Sequence, residues 1–134
     1  MEAFQHIIEY FTNWNKLKIK IHISEMAEFY FYEREIWWAS LGANIGFEQG
    51  GKHENYERPV IIIKKFNKDI LWALPLTSKE KEGRYYFKTE HKGEKSFIIL
   101  SQLRIISSRR LLRKIRTMPE NEFLELKKRV KNFL

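Results

Sequence analysis

The sequence predicts a mainly β fold, a small antiparallel barrel with a helix at each end of the chain. Three observations carry this reading. Short apolar segments follow one another from Phe29 to Ser107, separated by turns and by no long helix, a density that suits a barrel. Helical periodicity is confined to the two ends. The 134 residues suffice for one domain with a real core.

At the N-terminus Phe4, Ile7, Ile8, Phe11 and Trp14 fall at helical spacing, an apolar stripe expected to face the body of the domain rather than a partner. The period then changes. Lys16 to Ile23 alternates strictly, with Leu17, Ile19, Ile21 and Ile23 on one side and Lys16, Lys18, Lys20 and His22 on the other. That pattern predicts a strand, an edge guarded by lysines rather than a phosphate-binding ridge. Ser24 to Glu28 reads as a connection.

Phe29 to Tyr32 and Glu35 to Leu41 have the aromatic, apolar character of strands, and Gly42 to Gly46 breaks them. A Gly-rich, charged loop from Gly46 to Glu57 runs into Arg58-Pro59, whose proline biases Arg58 toward an extended backbone. Val60 to Ile63 is a continuous apolar run of the kind a buried strand needs. Asn67-Lys68-Asp69 then turns the chain into a second run ending in Leu76-Thr77-Ser78. One arginine therefore sits where a flexible loop meets a rigid strand, and a hydroxyl pair closes the next strand. Arg84 to Thr89 and Lys95 to Leu100 flank His91 to Glu94 as a hairpin.

Ser101 to Ser107 continues the apolar pattern, and Ser107 or Ser108 is placed to cap a short basic helix over Arg109 to Arg113. Thr117-Met118-Pro119-Glu120 has capping-box spacing. Phe123, Leu126, Val130 and Phe133 then repeat at helical spacing, with lysines late, where cations suit the helix dipole.

With 25 Lys+Arg against 17 Asp+Glu, the formal net charge is +8. Such an excess favours nucleic acid, an anionic membrane or an acidic protein, without choosing among them. Lys64, Lys65 and Lys68 add to a field that steers a polyanion. The absence of cysteine excludes a disulfide framework and thiolate metal sites. His6, His22 and His91 lack metal-ligand spacing, so no metal site and no cofactor is expected. No apolar run is long enough to span a bilayer, and no signal-peptide pattern is present. The expected location is the cytoplasm, without membrane contact. Trp37, Trp38 and Trp72 are expected in the core.

The order of these motifs resembles a known family. Glu35 to Leu41, Gly46-Phe47-Glu48-Gln49-Gly50-Gly51 and Arg58-Pro59-Val60-Ile61-Ile62 resemble the opening of the MazF/PemK toxins. Leu76-Thr77-Ser78 looks like that family's second block. Ser101 to Ser107, followed by Arg110-Leu111 and Lys114-Ile115, looks like the third. The resemblance implies an SH3-like barrel of the MazF/CcdB type over residues 33–134. Residues 1–32 are then an N-terminal helix and strand packed on that domain.

The resemblance also implies the toxin of a type II toxin–antitoxin pair. It would be a homodimer and a metal-independent endoribonuclease cutting single-stranded RNA at short sequences, leaving 2′,3′-cyclic phosphate and 5′-hydroxyl ends. Its cognate antitoxin would fill the RNA groove with a flexible segment. The family's catalytic arginine maps onto Arg58 and its hydroxyl onto Thr77, with Ser78 the adjacent alternative. Glu48, Gln49, His53 and Glu57 are further candidates for catalysis or substrate binding. Lys52, Lys64, Lys65, Gln102 and Arg104 are candidates for holding RNA. Two segments depart from the family pattern: Lys52 to Glu57 lengthens the loop, and the first thirty-odd residues have no counterpart.

The chemistry divides the candidates. Cleavage through the 2′-hydroxyl requires a proton removed, charge on phosphorus stabilised and a leaving oxygen protonated. The planar fork of Arg58 matches phosphate oxygens but, with a pKa above about 12, is unsuited to proton transfer. Thr77 can donate a hydrogen bond to the same phosphate. His53 is the nearby group that titrates near neutrality; the plainer reading is a solvated loop imidazole. Glu48 and Glu57 read more simply as solvated, or paired with Lys52 or Arg58. The rival functions are a gyrase-inhibiting toxin on the same barrel and a nucleic-acid-binding module without activity.

Overall fold

A computed structural model of the chain describes residues 2–24 and 30–134. Helix α1 (Glu2–Ile23) precedes strands β1 (Glu35–Ser40), β2 (Glu57–Lys65), β3 (Ile70–Thr77), β4 (Tyr86–His91), β5 (Glu94–Ile99), β6 (Arg104–Ser107) and β7 (Leu111–Thr117), and helix α2 (Glu120–Lys131) closes the chain. All the pairings are antiparallel, in the order β4-β5-β3-β2-β1-β7, with β6 beside β5 on the same flank of β3. The result is a curled sheet forming a half-barrel, the mainly β architecture expected.

The sheet is buried on both faces, which explains why Val60 to Ile63 is an unbroken apolar run. Ile61 and Ile63 join Ile36, Leu74, Leu76 and Ile98 under α2, which contributes Phe123 and Leu126. Val60 and Ile62 point the other way, to Phe31, Trp37, Leu41, Leu71 and Leu111. Buried between the two, Glu35 accepts from the Tyr32 amide at 2.8 Å and the Trp37 indole at 3.1 Å, and pairs with Lys114 at 2.9 Å.

Several sequence expectations need correction. Lys16 to Ile23 is not a strand: α1 continues through it. The alternating set contains Leu17 and Ile21 at i and i+4, and these extend a stripe begun by Tyr10 and Trp14. Trp14, Leu17 and Ile21 pack with Ala43 and Tyr56. Extending an existing helix costs far less than starting a strand, and packing overrides β-propensity. Ile19 and Ile23 are left exposed as a consequence. Arg109 caps the helix, donating to the carbonyls of His22 (2.6 Å) and Ser24 (3.2 Å). The stripe expected to face the core is also mostly wrong: Trp14 is 6% exposed, but Phe4, Ile7, Ile8 and Phe11 are exposed.

Tyr30 to Tyr32 is irregular rather than a strand, with Phe31 fully buried; Phe29 and most of the expected 24–28 connection lie outside the described residues. The basic helix over 109–113 is one 3₁₀ turn, Ser108–Arg110, in which the Ser107 hydroxyl accepts from the Arg109 amide; Leu111 then starts β7. Pairing with β1 satisfies more backbone there than a short helix could. Thr117 belongs to β7, so no capping box forms, and α2 opens at Pro119 with no side-chain cap. Trp37 is buried as expected, but Trp72 is 41% exposed and meets Phe66 edge-on.

The seat of α1 is tight. A Cβ at Gly42 would lie 2.2 Å from the Trp14 indole, and Gly42 holds φ +85°. Gly42→Ala is therefore expected to destabilise the protein by at least about 2 kcal/mol, from backbone strain plus overpacking. Urea unfolding followed by tryptophan fluorescence checks this; a change under about 0.5 kcal/mol would show that α1 does not press on this turn.

Candidate active site

The segment between β1 and β2 is held by its own backbone. The Leu41 and Gly42 amides donate to the Tyr56 carbonyl, and the Gly51 amide returns to Gly42 at 2.8 Å. Lys52 and Glu57 bond each other through both amides at 2.9 Å, so 52–57 is a closed turn rather than a loose insertion. His53 and Tyr56 take positive φ to make it. Gly46 also takes a positive φ, but Gly50 and Gly51 are glycines for another reason. A Cβ on either would strike backbone, the Gly42 carbonyl at 2.4 Å or the Tyr56 carbonyl at 1.5 Å. Only bare backbone fits there.

Arg58 is the second residue of β2, directly after this loop. Its Nε donates to the Gly50 carbonyl at 2.6 Å and its Nη1 to the Leu76 carbonyl at 3.1 Å. The guanidinium is therefore fixed between the loop and the end of β3, half-buried, and the described residues offer Nη2 no acceptor. Burial lowers its pKa from the ordinary arginine value, partly opposed by Tyr10, and an arginine so placed still stays charged at neutral pH. Thr77 lies one residue beyond the carbonyl that holds Nη1. Its Oγ1 accepts from the Lys79 amide at 3.2 Å, the turn-capping role a strand-end hydroxyl suggests, and the O–H remains a donor.

Arg58 and Thr77 line one pocket of about 350 Å³, together with Ser78, Lys52, His53 and Glu57. The opposite wall comes from the β4–β5 hairpin: Thr89 and His91 on one strand, Ser96 and Glu94 directly across. Arg116 of β7 reaches in and donates to Thr89 Oγ1 at 2.8 Å, while Thr89 donates to Glu122 of α2. Trp38 forms an apolar side of the pocket, with the Arg113 guanidinium 5.0 Å over its ring.

Sequence reasoning missed this hairpin wall. A two-residue turn at Lys92-Gly93, both with positive φ, sets the register so that Thr89 pairs with Ser96 and His91 with Glu94. Period-2 alternation from that turn would have placed all four on one face.

Other candidates lie elsewhere. Glu48 accepts from the Ile45 amide inside the loop. Gln49 is engaged through its backbone: its amide donates to Gln102, whose Nε2 donates in turn to Phe47. Arg104 reaches the Gln49 carbonyl at 3.5 Å, and burial lowers its pKa. Gln102 and Arg104 thus clamp the loop. Lys64 and Lys65 sit at the far end of β2 from Arg58; Lys65 donates to the Phe31 carbonyl and lies over the Phe31 and Tyr32 rings. Glu57 pairs with neither Lys52 nor Arg58 but with Arg113, at 2.6 Å. Among the described residues no group of three His, Asp or Glu side chains is arranged to hold a metal ion, and no helix is long and apolar enough to cross a membrane.

In this half-barrel the β1–β2 loop and the end of β3 fix an arginine beside a pocket that the strand-end hydroxyl of Thr77 also lines. The family described as PemK-like, MazF-like toxin of type II toxin-antitoxin system matches residues 32–134, and the chain belongs to it. Solved structures agree in fold. MazF from Deinococcus radiodurans shares 18% identity at TM-score 0.64, over 78% of this chain and 96% of that one. The MazE–MazF complex of the same organism gives 15% and 0.59, over 78% and 95%. An endoribonuclease in complex with its cognate antitoxin, from a mycobacterial species, gives 6% and 0.57, over 77% and 93%. No curated protein matches the sequence.

The Glu57–Arg113 pair gives a pH signature. The Arg113 hydrogen bond, then its charge, hold the Glu57 carboxyl below its usual value against the opposing effect of burial. With the folded pKa below the unfolded one, the stabilisation is complete above the unfolded carboxyl value and vanishes as pH falls through the folded value. Wild type should exceed Glu57→Gln by up to about 1 kcal/mol near neutrality, Arg113 being half exposed. Urea midpoints should converge as pH falls below the usual carboxylate range, and a gap that stays constant on acidification contradicts the assignment.

Proposed function

We propose that this chain is a metal-independent endoribonuclease that cuts single-stranded RNA and is silenced by a cognate antitoxin. The observation that carries this reading is Arg58. Two of its donors are bound to backbone carbonyls and no carboxylate pairs with it among the described residues, so its full charge and its Nη2 edge remain for an anion in the pocket. Family membership and the resemblance of the three motif blocks supply the substrate class; the fold alone would not.

In this reading the phosphate to be cut lies against Nη2 of Arg58, and Thr77 donates its hydroxyl to the same group. The neighbouring 2′-oxygen attacks phosphorus as its proton leaves, closing the cyclic phosphate. The bond to the 5′-oxygen breaks, and that oxygen takes a proton. Arg58 and Thr77 stabilise the charge that grows on the phosphoryl oxygens. His53 and His91 border the pocket, and their imidazoles are the side chains there of the type most often used to transfer protons. The side chain of Glu57, committed to Arg113 and acidified by it, stays ionised and is a poor proton donor. The homodimer and the antitoxin's entry into the groove belong to the same proposal, supported by family membership.

The test is incubation of the purified protein, in EDTA, with a long single-stranded RNA, mapping the cut ends beside variants. Discrete cuts with 5′-hydroxyl ends are expected. Arg58→Ala should lower kcat by about 10²–10³-fold, as removal of a preorganised oxyanion donor does, and Thr77→Val by about tenfold, the worth of one hydrogen bond. Arg58→Lys should rescue little, since a point charge cannot keep both carbonyl contacts and face the phosphate. No cleavage by wild type would overturn the nuclease reading in favour of binding without catalysis.

A further inference from the structure

Helix α1 reaches the loop above Arg58 through the Tyr10 hydroxyl, which donates to the Gly51 carbonyl at 2.8 Å. The adjacent carbonyl, Gly50, is the one that receives Arg58 Nε at 2.6 Å. A phenol on the helix and the guanidinium on β2 thus hold consecutive carbonyls of one loop. The loop answers: the Tyr56 hydroxyl donates to the Tyr10 carbonyl at 2.8 Å, and the two rings lie 4.8 Å apart. Trp14 packs against the other side of Tyr56 at 5.4 Å. Tyr10 and Arg58 are close enough to feel each other electrostatically. Burial first, then Tyr56, raise the Tyr10 phenol above its ordinary value, so it stays protonated, and a donor, throughout the physiological range.

We infer that Tyr10 is a positioning residue for Arg58. By fixing Gly51, the helix fixes Gly50, and with it the direction in which the guanidinium presents its remaining edge. The inference rests on the nuclease reading for its consequence but not for its geometry. It assigns a role to a helix that lies outside the 32–134 family match.

Tyr10→Phe in the full-length chain removes one oxygen and keeps both the ring contact with Tyr56 and the Tyr56-to-Tyr10 backbone bond. Loss of a single positioning hydrogen bond predicts a kcat about tenfold lower with KM within about twofold of wild type, measured on a short single-stranded RNA in EDTA. A second readout needs no activity. Solvent exchange of the Arg58 Nε proton, followed by nitrogen-15 NMR, should accelerate at least about threefold, as expected when a local anchor loosens. The thermal midpoint should move by less than about 4 °C, the shift of one weak bond.

Unchanged Nε exchange overturns the inference whatever the kinetics. Faster exchange with unchanged kcat overturns its functional half. A wild type that never cleaves RNA refutes the nuclease reading instead, and the exchange rates still decide whether Tyr10 holds Arg58 in place.

Discussion

Two consecutive carbonyls, Gly50 and Gly51, set the geometry of the cleft. A guanidinium half withdrawn from water loses solvation, and a loop carbonyl turned inward loses its own unless a donor replaces the water. Arg58 and the Gly50 carbonyl cancel both costs with one bond. Because that bond goes to backbone rather than to a carboxylate, the arginine is oriented without being neutralised. The nearest acidic residue in sequence, Glu57, is drawn away to Arg113. An arginine that is rigid, desolvated and still fully charged is what recognition of a phosphate demands.

Helix α1 and the turn 52–57 pack against each other. The turn 52–57 brings Tyr56 inward, where it is 6% exposed and meets α1. Without the helix, Tyr56 would be an aromatic ring in water at a strained, positive-φ position. Without Tyr56, Trp14 would lose one of the two buried residues it packs against, keeping Ala43. Each addition makes sense only with the other, and both converge on the glycines above Arg58.

What could be read from sequence follows the same division. β2 and β3 were legible because a core on both faces makes them continuous apolar runs, and α2 because its single buried face sets a helical spacing. Arg58 and Thr77 were legible because motif order placed them at a loop–strand junction and a strand end. Lys16 to Ile23 was misread because alternation and helical spacing share the pair Leu17 and Ile21, and only the partner surface of Ala43 and Tyr56 decides between them. Arg109 to Arg113 was misread because local capping chemistry is real at Ser107, yet β1 offers Leu111 onward a ladder that no local signal announces. The hairpin wall was overlooked because register depends on the identity of a two-residue turn.

The charge shows why composition alone says little about binding. Of the basic side chains, many are used as carbonyl clamps. Arg34 holds Met118, Arg109 ends α1, Arg110 holds Ser40, Arg129 holds Arg84 and Tyr86, and Lys65 holds Phe31. An arginine carries five donors and no acceptor, so it suits a chain in which curled strands and irregular connections leave carbonyls unpaired. These groups still contribute to a long-range field, while one nitrogen of each is tied to backbone. What sets Arg58 apart is not how many donors it gives to the fold, since it gives two nitrogens, but where its remaining edge lies. It lines the pocket beside Thr77, so position rather than net charge distinguishes it.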